Sequence, residues 1–241
     1  RATVDNVYDT VIFPDLEKAE KLLENYTASD KYTISLALVY GLKARAYLER
    51  GTAKNDARAY QSAAEYARKA ITASGRTPLT QEEWEDPTNG FNNAESNNAW
   101  IWGLALPSES VANLFCFTAH MSCENDWSAY NAGRAINRNL YNSIDIRDFR
   151  RHSWLDPDRR SYAYKSCRPD SKEYFAEKLA DYVNIKFRPA QGAYKESKVG
   201  GAADHCCMRV EEMYFIEAEA TAQAGDIPGG IRLLNEFMNS Y

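Results

Sequence analysis

The stretch Met208-Arg-Val-Glu-Glu-Met-Tyr-Phe-Ile-Glu-Ala-Glu-Ala-Thr-Ala-Gln-Ala-Gly225 runs directly into Asp226-Ile-Pro-Gly-Gly-Ile-Arg-Leu-Leu-Asn-Glu-Phe-Met238. The first half reads as a helix with apolar or small residues on nearly every side: Val210, Met213, Tyr214, Ile216, Ala218, Ala220, Ala222 and Ala224. A helix without a wide polar face is buried between other helices, and its alanines let neighbouring backbones come close. Gly225 suits a left-handed C-terminal position. Asp226 caps the helix that follows, and Pro228 fits its first turn. The stretch therefore reads as a helical hairpin.

The same design occurs earlier. Ala44-Arg-Ala46 lies ahead of Gly51 at the spacing by which Ala218-Glu-Ala220 precedes Gly225. A second helix is expected from Asp56 to about Ala73, with Tyr60, Ala63, Ala67, Ala70 and Ile71 on its inner stripe. Repeated pairs of this kind point to tetratricopeptide-like packing. The copies are not in tandem, so a regular array is excluded.

These residues also carry a family resemblance. Arg209-Val-Glu-Glu-Met-Tyr-Phe-Ile-Glu-Ala-Glu-Ala220 resembles the R-x-x-E-x-y-L-x-x-A-E-A signature of the SusD/RagB family, and Asn235 matches the asparagine of its next helix. Leu42-Lys-Ala-Arg-Ala-Tyr-Leu48 is similar to the family's L-x-A-R-x-Y-L helix. Val7-Tyr8, the run Asp15-Leu16 with Ala19, Leu22 and Leu23, and Asp145-Ile-Arg147 follow the family's order. Two departures stand out: Gly230 replaces Ala, and Met238 replaces Arg. Because glycine costs a helix interior about 1 kcal/mol, the final helix is expected to be short or frayed.

The resemblance implies a mainly α fold in which tetratricopeptide-like helical pairs form an α superhelix. Residues 1–241 would be a single, partial SusD-like domain, with pairs at about 31–73 and 208–239 and a loop-rich ligand-binding insertion at about 74–207. It further implies a surface-exposed outer-membrane lipoprotein that binds a glycan or oligosaccharide and delivers it to a SusC-like TonB-dependent transporter. Relatives carry a signal peptide, a lipidated cysteine and further helices ahead of this point. The resemblance therefore implies a fragment whose lipid anchor is absent from this chain. A scaffold that binds a protein or peptide is the alternative, and a glycosidase comes third.

Composition narrows the field. The net charge is −5, and lysine and arginine are dispersed, which argues against nucleic acid as the main partner. No apolar run is long enough to span a bilayer as a helix. The sequence holds 16 tyrosines and 5 tryptophans, and exposed aromatics can stack on sugar rings; most of the tyrosines are assigned to helix contacts. Cys116, Cys123, Cys167, Cys206 and Cys207 match no zinc spacing, and their odd number prevents complete internal pairing. A Cys116–Cys123 disulfide and buried thiols both remain open.

Along the chain, residues 4–24 read as a helix bent or broken at Pro14, and Lys31 to Arg50 as a long helix. Thr80 and Glu83 have capping-box spacing. Trp100 to Leu106 and Tyr182 to Phe187 read as strands, Leu140 to Phe149 and Tyr174 to Leu179 as helices. Residues 107–140 form a long irregular stretch rich in aromatics, and 191–204 a Gly- and Lys-rich loop.

No catalytic set emerges. Glu82, Glu83, Glu85 and Asp86 cluster, and Asp156 and Asp158 flank Pro157. Glycoside hydrolysis, however, needs carboxyl groups facing each other roughly 5 to 9.5 Å apart across a cleft, and neighbours in one loop seldom do. His120 with Cys123, and His205 with Cys206 and Cys207, are too few for a four-ligand metal site. No phosphate loop is present, and no cofactor is expected. Arg45, Glu212 and Glu219 read as ion-paired charges in the helical stack, with Glu219 expected buried against Arg45 or Arg209. The ligand set is taken to be Trp127, Tyr130, Asn131 and Arg134, with Trp154 in reserve: flat apolar faces for the pyranose, amide and guanidinium groups for its hydroxyls.

Overall fold

A computed structural model describes residues 2–107, 117–124, 133–157, 179–193 and 196–241. The chain divides into two compact units. One comprises Arg1–Pro78, Asn98–Gly103 and Cys207–Tyr241, and is helical. The other comprises Leu79–Asn97 and Leu104–Cys206, and is rich in loops.

The helical unit opens with α1 (Val4–Val7), capped by the Thr3 hydroxyl. A π turn over Tyr8–Ile12 joins it to α2 (Phe13–Leu23). Pro14 has no N–H, and in regular α register its ring would strike the carbonyl four residues back. The wider π turn, in which Phe13 N–H bonds to the Tyr8 carbonyl, relieves that conflict without ending the helical path.

Next come α3 (Leu36–Lys54) and α4 (Ala57–Ser74). The first begins later than its periodicity suggests. Asp30 Oδ1 accepts from the backbone of Tyr32 and Thr33, which holds a turn there. Ser35 then supplies the N-cap through a bond from Leu38 N. It also ends later. Gly51 lies inside α3, and the left-handed residue is Asn55, at φ 52°. Gly51 serves close approach instead, since a Cβ there would meet the Tyr60 ring at 2.7 Å. Asp56 caps α4, and Gly75 closes it in the left-handed conformation.

The C-terminal hairpin is α9 (Val210–Gln223) and α10 (Ile227–Ser240). Its first residues behave differently from the expected single helix: His205–Arg209 is a strand, β2, paired with β1 (Trp100–Leu104). Val210 N–H bonds to the Ala99 carbonyl as the helix starts. In the stack, α2 packs on α3, α3 on α4, α4 on α9, and α9 on α10. Ala44, Ala63, Ala67, Ala70 and Ala220 are wholly buried, so the alanines do bring backbones together. The final helix is not short: it runs from Ile227 to Ser240. A Cβ at Gly230 would lie 2.6 Å from the Ala218 carbonyl oxygen and 2.7 Å from the Ala222 Cβ, so glycine is what lets α10 sit against α9.

Charges in the stack correct one expectation. Arg45 forms a fork with Glu212, at 2.5 Å for each contact, and also donates to the Cys207 carbonyl. Glu217 is a buried carboxylate, forked by Arg68 at 2.8 and 2.6 Å, and Glu211 is buried on the same helix. Glu219 is exposed. The buried face of α9 runs through Val210, Met213, Glu217 and Ala220, and position 219 falls outside that arc.

In the loop-rich unit, α5 (Gln81–Trp84) carries the expected capping box between Thr80 and Glu83. Short helices α6 (Phe117–Met121), α7 (Arg138–Ser143) and α8 (Ser197–Gly200) follow, with 3-10 turns at Phe149–Ser153 and Ala190–Gly192. Cys123, Leu155, Leu179, Val183 and Ile185 form its core. Glu124 and Arg188 are buried together at 2.5 Å. Cys116 and Cys167, and the helix expected at Tyr174–Leu179 up to residue 178, lie outside the described residues.

Candidate functional site

Three short segments of the loop-rich unit lie side by side. The central one is 182–185. Ala135 bridges to Val183 on one side, and Trp154 bridges to Asn184 on the other, both antiparallel. Asn184 N–H bonds to the Arg134 carbonyl, Ile136 N–H to Tyr182, Leu155 N–H to Val183, and Ile185 N–H to Ser153. This small sheet is what the alternating run Tyr182–Phe187 builds, though its pairing is limited to isolated bridges. The inner positions are filled by Val183 and Leu155, both buried.

Residues opposite one another across antiparallel strands share a face. With Ala135 opposite Val183, Arg134 falls opposite Asn184, and Trp154 faces Asn184 from the far side. Arg134, Asn184 and Trp154 thus form one cross-strand row. Arg134 is exposed and Trp154 half-buried. Asn184 is 3% exposed, and its Oδ1 accepts from Lys186 N at 2.8 Å and Phe187 N at 3.4 Å.

The row has a firm base. Trp84 Nε1 donates to Ser153 Oγ, one residue before Trp154. His152 Nδ1 contacts Glu85 Oε1 at 2.5 Å. Lys186 Nζ sits over the rings of Phe91 and Trp84, 4.2 and 4.6 Å from their centroids, a cation–π arrangement that anchors the turn after Asn184.

Local charge is largely matched. Arg147 pairs with Asp145 and Arg150 with Asp148. The Arg150 side chain, hydrogen-bonded to Asp148, holds that carboxyl below its ordinary range against the opposing effect of burial. Arg151 lies over the Tyr141 ring and donates to the Ile144 carbonyl. Burial pushes the Tyr141 hydroxyl up, and it donates to Asp156.

Of the ligand residues expected from sequence, Trp127, Tyr130 and Asn131 lie outside the described residues. Arg134 and Trp154 are brought onto one sheet face, although twenty positions separate them. Asn184 was missed, because within a run read as a strand it looked like an ordinary polar position. Its alternation with buried Val183 and Ile185 was the available signal.

Four of the acidic residues considered for hydrolysis, Glu83, Glu85, Asp86 and Asp156, are engaged elsewhere. Glu83 closes the capping box, Glu85 meets Gln81 and His152, and Asp86 caps the turn through Thr88 and Asn89. Asp156 is buried on Tyr141, and Asp158 is outside the described residues. His120 is exposed while Cys123 lies in the core, and His205 packs edge-on against Phe117. No cluster of three potential metal ligands occurs among the described residues.

Stacked helical pairs interrupted by a loop-rich unit define a tetratricopeptide-like helical protein, and comparison makes the class specific. No protein-family model and no curated sequence matches the chain. Solved structures do. A SusD-like carbohydrate binding protein from Bacteroides vulgatus ATCC 8482 shares 26% identity at a TM-score of 0.69, covering 99% of this chain and 44% of that one. A SusD superfamily protein from Bacteroides thetaiotaomicron VPI-5482 matches at 19% identity and a TM-score of 0.70, covering 99% and 48%. Surface glycan-binding protein A from Bacteroides thetaiotaomicron, solved in complex with laminarihexaose, matches at 17% and 0.61, covering 98% and 54%. The fold is SusD-like, as the motifs indicated. The chain spans about half the length of these structures.

Proposed function

We propose that the protein belongs to a cell-surface glycan-capture system and binds an oligosaccharide through its loop-rich unit. The observation that carries this reading is the match over nearly the whole chain to a protein described as SusD-like and carbohydrate binding. The aromatic and donor row at Arg134 and Trp154 is compatible with it. Trp127, Tyr130 and Asn131 complete the proposed ligand set. By the same resemblance, the full protein is held at the outer membrane by a lipid anchor and passes its ligand to a SusC-like TonB-dependent transporter.

Binding is proposed to occur without turnover. A glycan array probed with the purified protein, followed by calorimetry on the best ligand, tests the reading. Stacking on one tryptophan contributes on the order of 1 kcal/mol, so Trp127→Ala should weaken binding by about tenfold once hydroxyl contacts loosen with it. Circular dichroism should stay unchanged. Absence of any glycan ligand would refute the reading. Release of reducing sugar, abolished by Asp156→Asn or Asp158→Asn, would refute the claim of binding without hydrolysis.

A further inference from the structure

The helix α10 carries two apolar faces. One is given to α9 and holds the buried Gly229 and Gly230 with half-buried Phe237. The other holds Ile227, Ile231, Leu234 and Met238, which recur at steps of four, three and four residues and so form one row along the helix. That spacing is the apolar seam by which helices pack on one another. Yet the row lies open, from 42% exposure at Leu234 to 60% at Ile227. Polar residues occupy the remaining side, where Arg232 pairs with Glu236 in solvent. Such a helix is built to lie between two others. Among the described elements its extensive packing is on α9.

The far end of the stack repeats the pattern. No residue of α1 or α2 is buried, and Val4, Val7 and Val11 are exposed. End members of a finished helical stack turn a polar face outward; here both ends turn valine, isoleucine or leucine outward. This decides between occupants. A single foreign partner accounts for one end. Copies of this chain stacked end to end would cover both, but that contact is head-to-tail and grows open filaments unless the rotation closes a ring. Further helices of the same polypeptide cover both ends and leave a monomer. SusD-like polypeptides have chain enough for them, since 99% of these residues covers 44% of one relative and 48% of another. The stack also follows chain order, α2 on α3, α3 on α4, α4 on α9 and α9 on α10, and consecutive elements are usually neighbours in space.

We propose that the outer row of α10 is an internal docking face, the seat of a helix that follows Tyr241 in the same polypeptide and packs along Ile231, Leu234 and Met238. The proposal is independent of the glycan reading.

The test uses the full-length polypeptide with Leu234→Cys on the row and, separately, Glu236→Cys on the polar side of the same helix. Thiol labelling is mapped to the α10 peptide by mass spectrometry, which sets the native cysteines aside. A covered thiol reacts only through local opening, so position 234 should label about tenfold or more slowly than position 236. Oxidation of Met238 in the unsubstituted protein reads the same row without any variant, and should be slow in the folded protein and fast in urea. A short cross-linker attached at position 234 should capture chain beyond Tyr241 of the same molecule, with the protein monomeric on gel filtration. Equal labelling at 234 and 236, or Met238 oxidised as fast folded as unfolded, would show an open face and overturn the proposal. Protection lost on dilution, or a cross-link between two molecules, would overturn it in favour of a second copy. A cross-link to chain ahead of residue 1 would overturn the assignment of the occupant.

Discussion

Glu217 and Glu219 lie two residues apart on α9 and meet opposite environments. Glu217 is buried and forked by Arg68; Glu219 reaches water. Burial raises the Glu217 carboxyl above its ordinary value, and Arg68 opposes that rise. Because the folded form then holds its proton to higher pH than the unfolded chain, the ionised group costs stability above the folded value, a cost relieved as pH falls through it. Arg68→Ala removes the compensating charge and pushes the carboxyl further up. At neutral pH the variant should be less stable by about 1–3 kcal/mol, the cost of stranding a buried polar group. The gap from wild type should narrow as pH falls and the carboxyl protonates. Urea denaturation at neutral and mildly acidic pH measures this; a gap that widens toward acid would contradict it. Sequence alone placed a charge inside this stack but chose the wrong glutamate. Helix periodicity identifies an arc of positions, not which neighbouring helix carries the matching arginine.

At the scale of elements, the two hairpins are closed by different devices. Gly225, at φ 112°, follows α9, whereas Asn55 turns the chain after α3. An Asn55→Gly change removes the cost of the left-handed conformation and should leave stability level or slightly higher. Asn55→Ala should lower it by about 1 kcal/mol. Thermal melts of both variants check the sign; Ala more stable than Gly there would refute the left-handed assignment. Gly230→Ala tests the α9–α10 contact. Helix propensity alone predicts a gain of about 1 kcal/mol, but the added Cβ meets a carbonyl and another Cβ, and overpacking costs typically about 1–3 kcal/mol. Net destabilisation is expected, and a stabilised Gly230→Ala would mean the helices do not approach so closely. The pairs themselves were legible because alanine spacing and capping residues are local signals. The strand at His205–Arg209 was not, since it depends on a partner far along the chain, Trp100–Leu104, with Val210 N–H bonded to Ala99; the late start of α3 was marked locally by Asp30 and Ser35 and was outweighed by apolar periodicity running past them.

On the scale of the whole molecule, the two units use their aromatic residues differently. The helical unit uses its aromatics largely in packing: Phe13, Tyr47 and Tyr66 stack in series, and Phe237 meets Tyr214, Phe215 and Tyr241. The loop-rich unit holds the proposed ligand residues. Of these, Arg134 and Trp154 were legible as residue types suited to sugar, but their common sheet face was not, because it depends on a third segment supplying Asn184. A scaffold that binds protein through its helices would reverse this division. Hydrogen exchange on the protein with and without its best array ligand is the decisive test of a ligand site in the loop-rich unit. Protection is predicted in residues 115–157 and 179–187, with α3, α4, α9 and α10 unchanged. Protection confined to those four helices, with the loop-rich segments exchanging as before, would contradict it.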